Sequence, residues 1–215
     1  GTGISIQNGP DNVVVSNLTI VGNDLVGSGI TVSPGATNVH LTNNSISNIL
    51  LPGGGNSSPL SYGILVWGDS DPVNPPTGII IENNSISNVL GSAISLGSNT
   101  VDVTIAGNVF SNIVPVDFGG TPLAIGIQAE LCAGLEIFSN EYNDLLQATS
   151  LVNCSDVALD DNSYNNTSLL LLTTWPHDIA LDAEPWWSTT LSVDGVNLSE
   201  AFFSNPSDPT YLYFA

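Results

Sequence analysis

Triplets whose first and third residues are apolar recur along the chain at intervals of 22 to 40 residues. They occupy residues 13–15, 39–41, 79–81, 103–105, 135–137, 157–159 and 179–181. Successive side chains of a strand point to opposite sides, so this pattern is typical of a strand with one buried face. A large apolar or aromatic residue follows each triplet by five positions, at Ile20, Ile46, Ile86, Phe110, Tyr142, Tyr164 and Trp186. Each repeat is therefore predicted to contain a strand, a turn and a buried anchor.

A second short strand is predicted in each repeat. Its apolar pairs are Ile4 and Ile6, Ile30 and Val32, Ile64 and Val66, Ile94 and Leu96, Ile127 and Ala129, and less clearly Leu151 and Asn153. Insertions rich in Pro, Gly and Ser lengthen some repeats at residues 50–61, 68–77 and 114–124. Stacked coils tolerate such insertions because their loops project sideways from the stack. The repeat predicts an all-β parallel β-helix of about seven coils over residues 1–198, followed by an aromatic-rich tail at 199–215.

One polar position of the repeat is nearly constant. Leu18 and Glu184 hold it in the first and last repeats, and the others carry Asn44, Asn84, Asn108, Asn140 and Asn162. Asparagine tolerates left-handed backbone angles and bonds the main chain of turns. Amides stacked at identical positions also hydrogen-bond one another in a ladder. This column therefore predicts a structural Asn ladder and indicates nothing about catalysis.

Over roughly residues 3–193 the repeat resembles the right-handed parallel β-helix superfamily typified by pectate lyases, polygalacturonases and phage tailspikes. The resemblance implies a single-stranded right-handed helix. Its lyases use Arg or Lys, and its polygalacturonases an Asp set, a Gly-His-Gly and an Arg-x-Lys element. This chain has no Lys or Arg, and neither His40 nor His177 is flanked by glycines. We therefore expect neither activity here, since a shared fold does not transfer function.

The charge balance removes further classes of function. Twenty Asp and Glu with no Lys or Arg give a formal charge of −20. Without cationic side chains the chain cannot neutralise phosphates, so nucleic-acid binding is not expected. The sequence contains no apolar run of about 18 residues, so we expect no membrane insertion. A polyuronate substrate would be repelled.

The chain is expected to be secreted or displayed on a cell surface. It begins with Gly rather than Met, as in a processed or trimmed chain, and without Lys or Arg it offers no trypsin-type cleavage sites. Eight Asn-x-Ser/Thr sequons are candidate glycosylation sites, at Asn17, Asn43, Asn56, Asn83, Asn153, Asn165, Asn166 and Asn197.

The two cysteines fall in one column of adjacent coils. Cys132 and Cys154 each stand three residues before a triplet, 22 residues apart. Neighbouring strands lie about 4.8 Å apart, which is compatible with a disulfide in an extracellular chain. The alternative is a stacked pair of reduced thiols, and we predict the disulfide.

An acidic group in the fifth and sixth coils is the candidate site for chemistry. It comprises Glu136, Glu141, Asp144, Asp156, Asp160 and Asp161. Three interpretations remain open: a solvated acidic face, a weak Ca²⁺ site at Glu136, Asp160 and Asp161, or a carboxylate pair that hydrolyses a neutral glycoside. We assign no catalytic residue and no cofactor other than this Ca²⁺.

The ends of the predicted helix favour assembly. The strand pattern begins at Ile4 and Ile6 with no room for a cap, and the tail carries Tyr211, Tyr213 and Phe214 in a strand-like alternation. The tail either folds back over the last coil or docks on a neighbouring subunit by strand addition. The profile resembles that of the extracellular sheaths of filamentous methanogenic archaea. We therefore predict a homopolymer forming a sheath, filament or surface layer. The alternative is a glycan-binding or glycan-processing domain of the adhesin or tailspike type.

Overall fold

The computed structural model describes residues 1–51, 60–68, 74–118 and 121–174, together with four short strands beyond residue 174. Within these residues the chain forms strands and no helix, and so contains no helix able to cross a membrane. The strands form three parallel sheets, stacked as coils of a right-handed parallel β-helix. The predicted fold class is confirmed.

Sheet 1 contains the first strand of every coil. Its parallel strands are β1 (Thr2–Ile6), β4 (Ser28–Val32), β7 (Ser61–Val66), β10 (Gly91–Leu96), β15 (Ile125–Glu130), β18 (Gln147–Val152) and β21 (Leu169–Thr174).

Sheets 2 and 3 contain the second and third strands. Sheet 2 is formed by β2 (Val14–Ser16), β5 (His40–Thr42), β8 (Thr77–Glu82), β11 (Val101–Ala106), β16 (Ala133–Phe138) and β19 (Ser155–Asp160). Sheet 3 is formed by β3 (Thr19–Val21), β6 (Ser45–Ile49), β9 (Ser85–Val89), β12 (Val109–Ser111), β17 (Glu141–Asn143) and β20 (Ser163–Asn165). The described residues thus form six full coils and the first strand of a seventh.

The core consists of columns of equivalent side chains. In sheet 1, Ile30, Ile64, Ile94 and Ile127 are in register from coil to coil and are fully buried. In sheet 3, the Phe110 and Tyr142 rings lie 5.1 Å apart, and the Tyr142 and Tyr164 rings stack at 5.2 Å. The predicted anchors therefore fill the interior. Trp186, Glu184 and the triplet at 179–181 lie outside the described residues.

One predicted register is wrong. The sequence pattern places Leu151 opposite Ile127, but in the structure Thr149 pairs with Ile127 and Leu151 pairs with Ala129. Thr149 is fully buried, and its hydroxyl lies 3.2 Å from the Tyr142 hydroxyl. A polar residue is tolerated inside because the phenol of the preceding coil is its hydrogen-bond partner.

The corners of the coils are built from left-handed residues. One column precedes the Asn ladder, and its φ angles of about 50–60° fall at Asn17, Asn43, Asn83, Gly107, Ser139 and Asp161. A second column opens sheet 2, at Asn12, Asn38, Gly78, Asp102, Gly134 and Asp156. Small polar residues and glycine dominate because they adopt this conformation at the least cost. The ladder residues themselves are not left-handed, contrary to one reason for predicting them.

Two further segments add antiparallel strands. The third insertion contains a hairpin of β13 (Val116–Phe118) and β14 (Thr121–Leu123). Beyond β21, the short strands are β22 (Ser192–Val193), β23 (Val196–Asn197), β24 (Phe203–Ser204) and β25 (Tyr211–Phe214). Strand β25 pairs antiparallel with β21. The strand containing Tyr211, Tyr213 and Phe214 thus folds back onto the last coil of its own chain.

Candidate functional site

A lateral groove runs across the outer face of sheet 2. It has a volume of about 410 Å³ and crosses the three adjacent strands β11, β16 and β19. Its lining comprises Asp102, Val103, Thr104, Gly134, Leu135, Glu136, Asp156, Val157 and Ala158. The apolar members Val103, Leu135 and Val157 point into the core, so outward residues supply the polar surface of the groove.

Two columns of outward residues form the sides of the groove. The left-handed residues Asp102, Gly134 and Asp156 make the first column, at the start of their strands. Two residues further along, Thr104, Glu136 and Ala158 pair in register and make the second. Each column includes a residue with little or no side chain, Gly134 in the first and Ala158 in the second, which leaves space beside the carboxylates.

Gly134 keeps the middle of the groove open. Its φ is +66°, and a Cβ at this position would lie 2.8 Å from the Oδ1 atom of Asp102. A larger residue would therefore be strained and would meet the Asp102 carboxylate. The absence of a side chain in the central strand is what allows the groove to continue from β11 to β19.

Three exposed carboxylates, those of Asp102, Glu136 and Asp156, make the groove an acceptor-rich surface. An ionised carboxylate accepts hydrogen bonds and donates none. No lysine or arginine exists in the chain to neutralise these groups. The groove therefore suits a ligand rich in hydroxyl or amine donors and disfavours an anionic one.

The structure divides the acidic group predicted from the sequence. Glu136 and Asp156 line the groove, whereas Asp161 is a left-handed corner residue that accepts a hydrogen bond from Ser139 at 3.3 Å. Asp160 ends β19 and is not part of the lining, and Glu141 and Asp144 belong to sheet 3 and the corner after it. Among the described residues no three His, Cys, Asp or Glu side chains are grouped to hold a metal ion. This gives the predicted Ca²⁺ site at Glu136, Asp160 and Asp161 no geometric basis.

The Asn ladder lies on the opposite edge of sheet 2, inside the turn to sheet 3. Each ladder amide nitrogen donates to the Oδ1 atom of the next coil's asparagine at 3.0 Å, from Asn44 through Asn84, Asn108 and Asn140 to Asn162. Each also donates to a main-chain carbonyl of the preceding coil. The first coil has Leu18 in place of an asparagine, and the main-chain N–H of Leu18 donates to the Oδ1 atom of Asn44. The ladder is buried, so its role is structural.

The predicted disulfide between Cys132 and Cys154 is not formed. Both cysteines are buried free thiols whose sulfur atoms hydrogen-bond to main-chain carbonyls. Their coils are in register, with Ala133 opposite Ser155. A disulfide would hold the two sulfur atoms about 2.05 Å apart, whereas here they are separate thiols. The structure therefore matches the reduced alternative.

Six of the eight candidate glycosylation sites have described side chains, and all six are exposed. They are Asn17, Asn43, Asn83, Asn153, Asn165 and Asn166. The Asn197 side chain and Asn56 lie outside the described residues. Modification of these sites stays a prediction.

Four groove residues, Asp102, Thr104, Gly134 and Ala158, were not predicted from the sequence as part of a site. Glu136 and Asp156 were singled out, but only as part of a six-residue acidic group. A signal was present in the register: residues 102, 134 and 156 stand at the same position of three consecutive repeats, one residue before each triplet. Alignment of outward positions, rather than a search for acidic residues, would have found the groove.

Comparisons with known proteins support the fold. No family model matches the chain, and no curated protein matches it. Among solved structures, it is similar to the crystal structure of PfbA, a surface adhesin of Streptococcus pneumoniae. The TM-score is 0.56 and the identity 14%, over 82% of this chain and 42% of that one. The chain thus spans less than half of that protein, and at this identity the similarity concerns the fold alone. The comparisons give no support to the expected resemblance to archaeal sheath proteins.

Proposed function

We propose that this chain is an extracellular, surface-displayed β-helix that binds a neutral carbohydrate in the groove of sheet 2. The observation that carries the proposal is the open groove of about 410 Å³ lined by Asp102, Glu136 and Asp156. Carboxylates are suited to accepting hydrogen bonds from sugar hydroxyls. A β-helix surface adhesin is among the structures that share the fold, which supports a surface role of this kind.

Charge narrows the class of carbohydrate. A chain of formal charge −20 without Lys or Arg repels uronates, sialylated glycans and sulfated glycans. Neutral hexose polymers and sugars bearing free amines carry no such penalty. We propose neutral glycans as the ligand class, and amine-bearing sugars are a comparison set in the test.

Binding is favoured over hydrolysis. A glycosidase needs one carboxylic acid held protonated by apolar surroundings. The carboxylates of Asp102, Glu136 and Asp156 are all solvent-exposed, and nothing apolar encloses them. The groove accordingly lacks the apolar enclosure that a glycosidase provides around its catalytic acid.

The test is a panel of neutral, amine-bearing and uronate oligosaccharides, followed by calorimetric titration of any ligand found. Glu136→Gln and Asp156→Asn keep the side-chain shape and remove an ionised acceptor, so each should weaken binding by about tenfold. Glu141→Gln on sheet 3 changes the charge by the same amount and should leave the affinity unchanged. Equal effects of all three variants would show that overall charge, rather than the groove, determines binding.

A second candidate, the predicted self-assembling sheath, filament or surface layer, is favoured by the first coil. Of the large apolar side chains that are exposed among the described residues, Val14, Leu18, Val21 and Leu25 all lie in this coil, with Leu25 76% and Val14 65% exposed. Only Asp11 and Asp24 of the twenty acidic residues lie before residue 69. The surface of this coil is therefore apolar and carries few like charges.

Electron microscopy and light scattering of the purified chain test assembly. We expect ordered particles that are weakened by chelator at low ionic strength, if divalent cations offset the repulsion between subunits. Leu25→Ser should reduce assembly, whereas Leu146→Ser, at an exposed site far from the first coil, should not. Monodisperse single chains at all concentrations would reject this second candidate and leave the groove proposal intact.

A further inference from the structure

Two thiols lie one above the other in the wall of the β-helix. Cys132 and Cys154 directly precede β16 and β19, whose first residues Ala133 and Ser155 are paired. Each cysteine is only 2% exposed. Thr100 occupies the same column in the preceding coil and is also buried. The wall therefore contains a column of three small side chains, one with a hydroxyl and two with thiols.

The hydrogen bonds of the thiols fix where the sulfur atoms lie. The Cys132 Sγ is 3.4 Å from the Gly97 carbonyl oxygen and 3.3 Å from the Glu130 carbonyl oxygen. The Cys154 Sγ is 3.6 Å from the carbonyl oxygen of Val152. The sulfur atoms therefore lie against main-chain carbonyls, and the pairing of Ala133 with Ser155 places the two cysteines next to each other in adjacent coils.

The spacing of the coils suits a metal between the sulfur atoms. Adjacent strands lie about 4.8 Å apart, while a metal–thiolate bond of the length seen for zinc is about 2.3 Å. Two such bonds in line span about 4.6 Å, close to the strand spacing. Zinc itself requires four ligands, and no third His, Cys, Asp or Glu joins these two within the described part of the chain.

We infer that Cys132 and Cys154 form a two-coordinate site for a soft monovalent metal ion, copper(I) or silver(I). Soft thiolate ligands select such ions over Ca²⁺ and Mg²⁺. On binding, each S–H bond breaks, both protons go to solvent, and two metal–sulfur bonds form without any change of oxidation state. The bound ion then joins coil five to coil six and stabilises the stack. The site is independent of the groove and of the proposed glycan binding.

The site is reached from a strained corner. Leu131, which precedes Cys132, has a left-handed backbone (φ 54°) and is 46% exposed. The equivalent residue before Cys154 is Asn153, which is left-handed and exposed. The thiols thus lie one residue from the surface, and we expect an ion to enter at this corner.

Titration of the reduced full chain with silver nitrate in chloride-free buffer tests the inference. We expect one tight equivalent, and at least an about 100-fold loss of affinity in both Cys132→Ser and Cys154→Ser, since each removes one of two ligands. Serine should fold here because Thr100 shows that the column accepts a hydroxyl side chain. Urea midpoints of the metal-free variants check this directly.

Two results would overturn the site. Binding of two equivalents, with one retained at unchanged affinity in each single variant, would show that the thiols act separately. Wild-type affinity in the Cys132→Ser, Cys154→Ser double variant would place the silver on other groups. If serine disrupts folding, Cys132→Ala and Cys154→Ala are compared in its place, with the same outcomes.

Discussion

The side-chain amide of Asn84 donates to the Oδ1 atom of Asn108 at 3.0 Å, joining residues 24 positions apart. The same oxygen accepts the main-chain N–H of Asn84 at 2.9 Å. Asn108 repeats both contacts with Asn140. One oxygen per coil therefore satisfies two buried donors of the neighbouring coil, and the ladder holds the turns in register as well as filling them.

Removing one ladder side chain should therefore cost more than an ordinary hydrogen bond. In Asn108→Ala the buried N–H of Asn84 and the carbonyl of Ile81 lose their partners, and we expect a loss of roughly 3 kcal/mol in the free energy of unfolding. Urea denaturation measures it. The control Asn143→Ala, on the outer face of sheet 3, should change stability by less than about 0.5 kcal/mol. Equal losses in the two variants would refute a stabilising ladder.

Replacing one corner residue, Leu131, should increase the stability of the fold. Leu131 is left-handed and half-exposed, while Asn99 and Asn153 hold the same corner in the adjacent coils. A bulky residue in this conformation costs about 1 kcal/mol, so Leu131→Asn should raise the free energy of unfolding by about that amount. Leu146→Asn, at a site of similar exposure without positive φ, should give no gain. A destabilised Leu131→Asn would mean that the leucine side chain contributes more than its exposure suggests.

The buried tyrosines should make the fold sensitive to alkali. Burial, with a smaller contribution from Tyr164, raises the pKa of Tyr142 well above its ordinary value. Below the unfolded pKa of about 10 its contribution to stability is complete. Above that pH the unfolded chain loses the phenol proton and the folded chain keeps it, so stability falls by about 1.4 kcal/mol per pH unit.

Urea midpoints between pH 8 and 11.5, with phenolate absorbance recorded in parallel, measure this dependence. Tyr142→Phe should flatten the decline, at the expense of stability at pH 8 because the buried Thr149 hydroxyl loses its partner. Adding Thr149→Val should recover much of that loss. An unchanged alkaline slope in Tyr142→Phe would show that this phenol is not the group responsible.

The predictable part of the structure follows from repetition. The anchors at Phe110 and Tyr142 and the asparagine at position 108 recur at fixed offsets, and in a stacked coil equal offsets place side chains above one another. The register of β18 was not predictable from the apolar pattern, because Thr149 is buried against the Tyr142 hydroxyl of the preceding coil. An apolar pattern assigns a threonine to the outer face of a strand. It contains no information about a hydrogen-bond partner, here the Tyr142 hydroxyl, that only the folded chain provides.

The groove and the state of the thiols were harder to predict from the sequence, for a different reason. The groove depends on Gly134, a residue whose contribution is an absent side chain between Asp102 and Asp156. The cysteine column was predicted correctly, but whether it closes to a disulfide depends on where the two sulfur atoms lie, since a disulfide holds them about 2.05 Å apart. Sequence spacing does not resolve distances of that size.

The most direct test of the proposed function is to map the ligand on the protein. Amide shifts of the ¹⁵N-labelled chain, recorded during titration with a neutral oligosaccharide, should change saturably at Gly134, Glu136 and Ala158. The amides of Ser85 and Ser87 on sheet 3 should stay fixed. Saturable shifts confined to sheet 3, or no saturable shift with any neutral glycan of the panel, would contradict the assignment of the groove as a carbohydrate-binding surface.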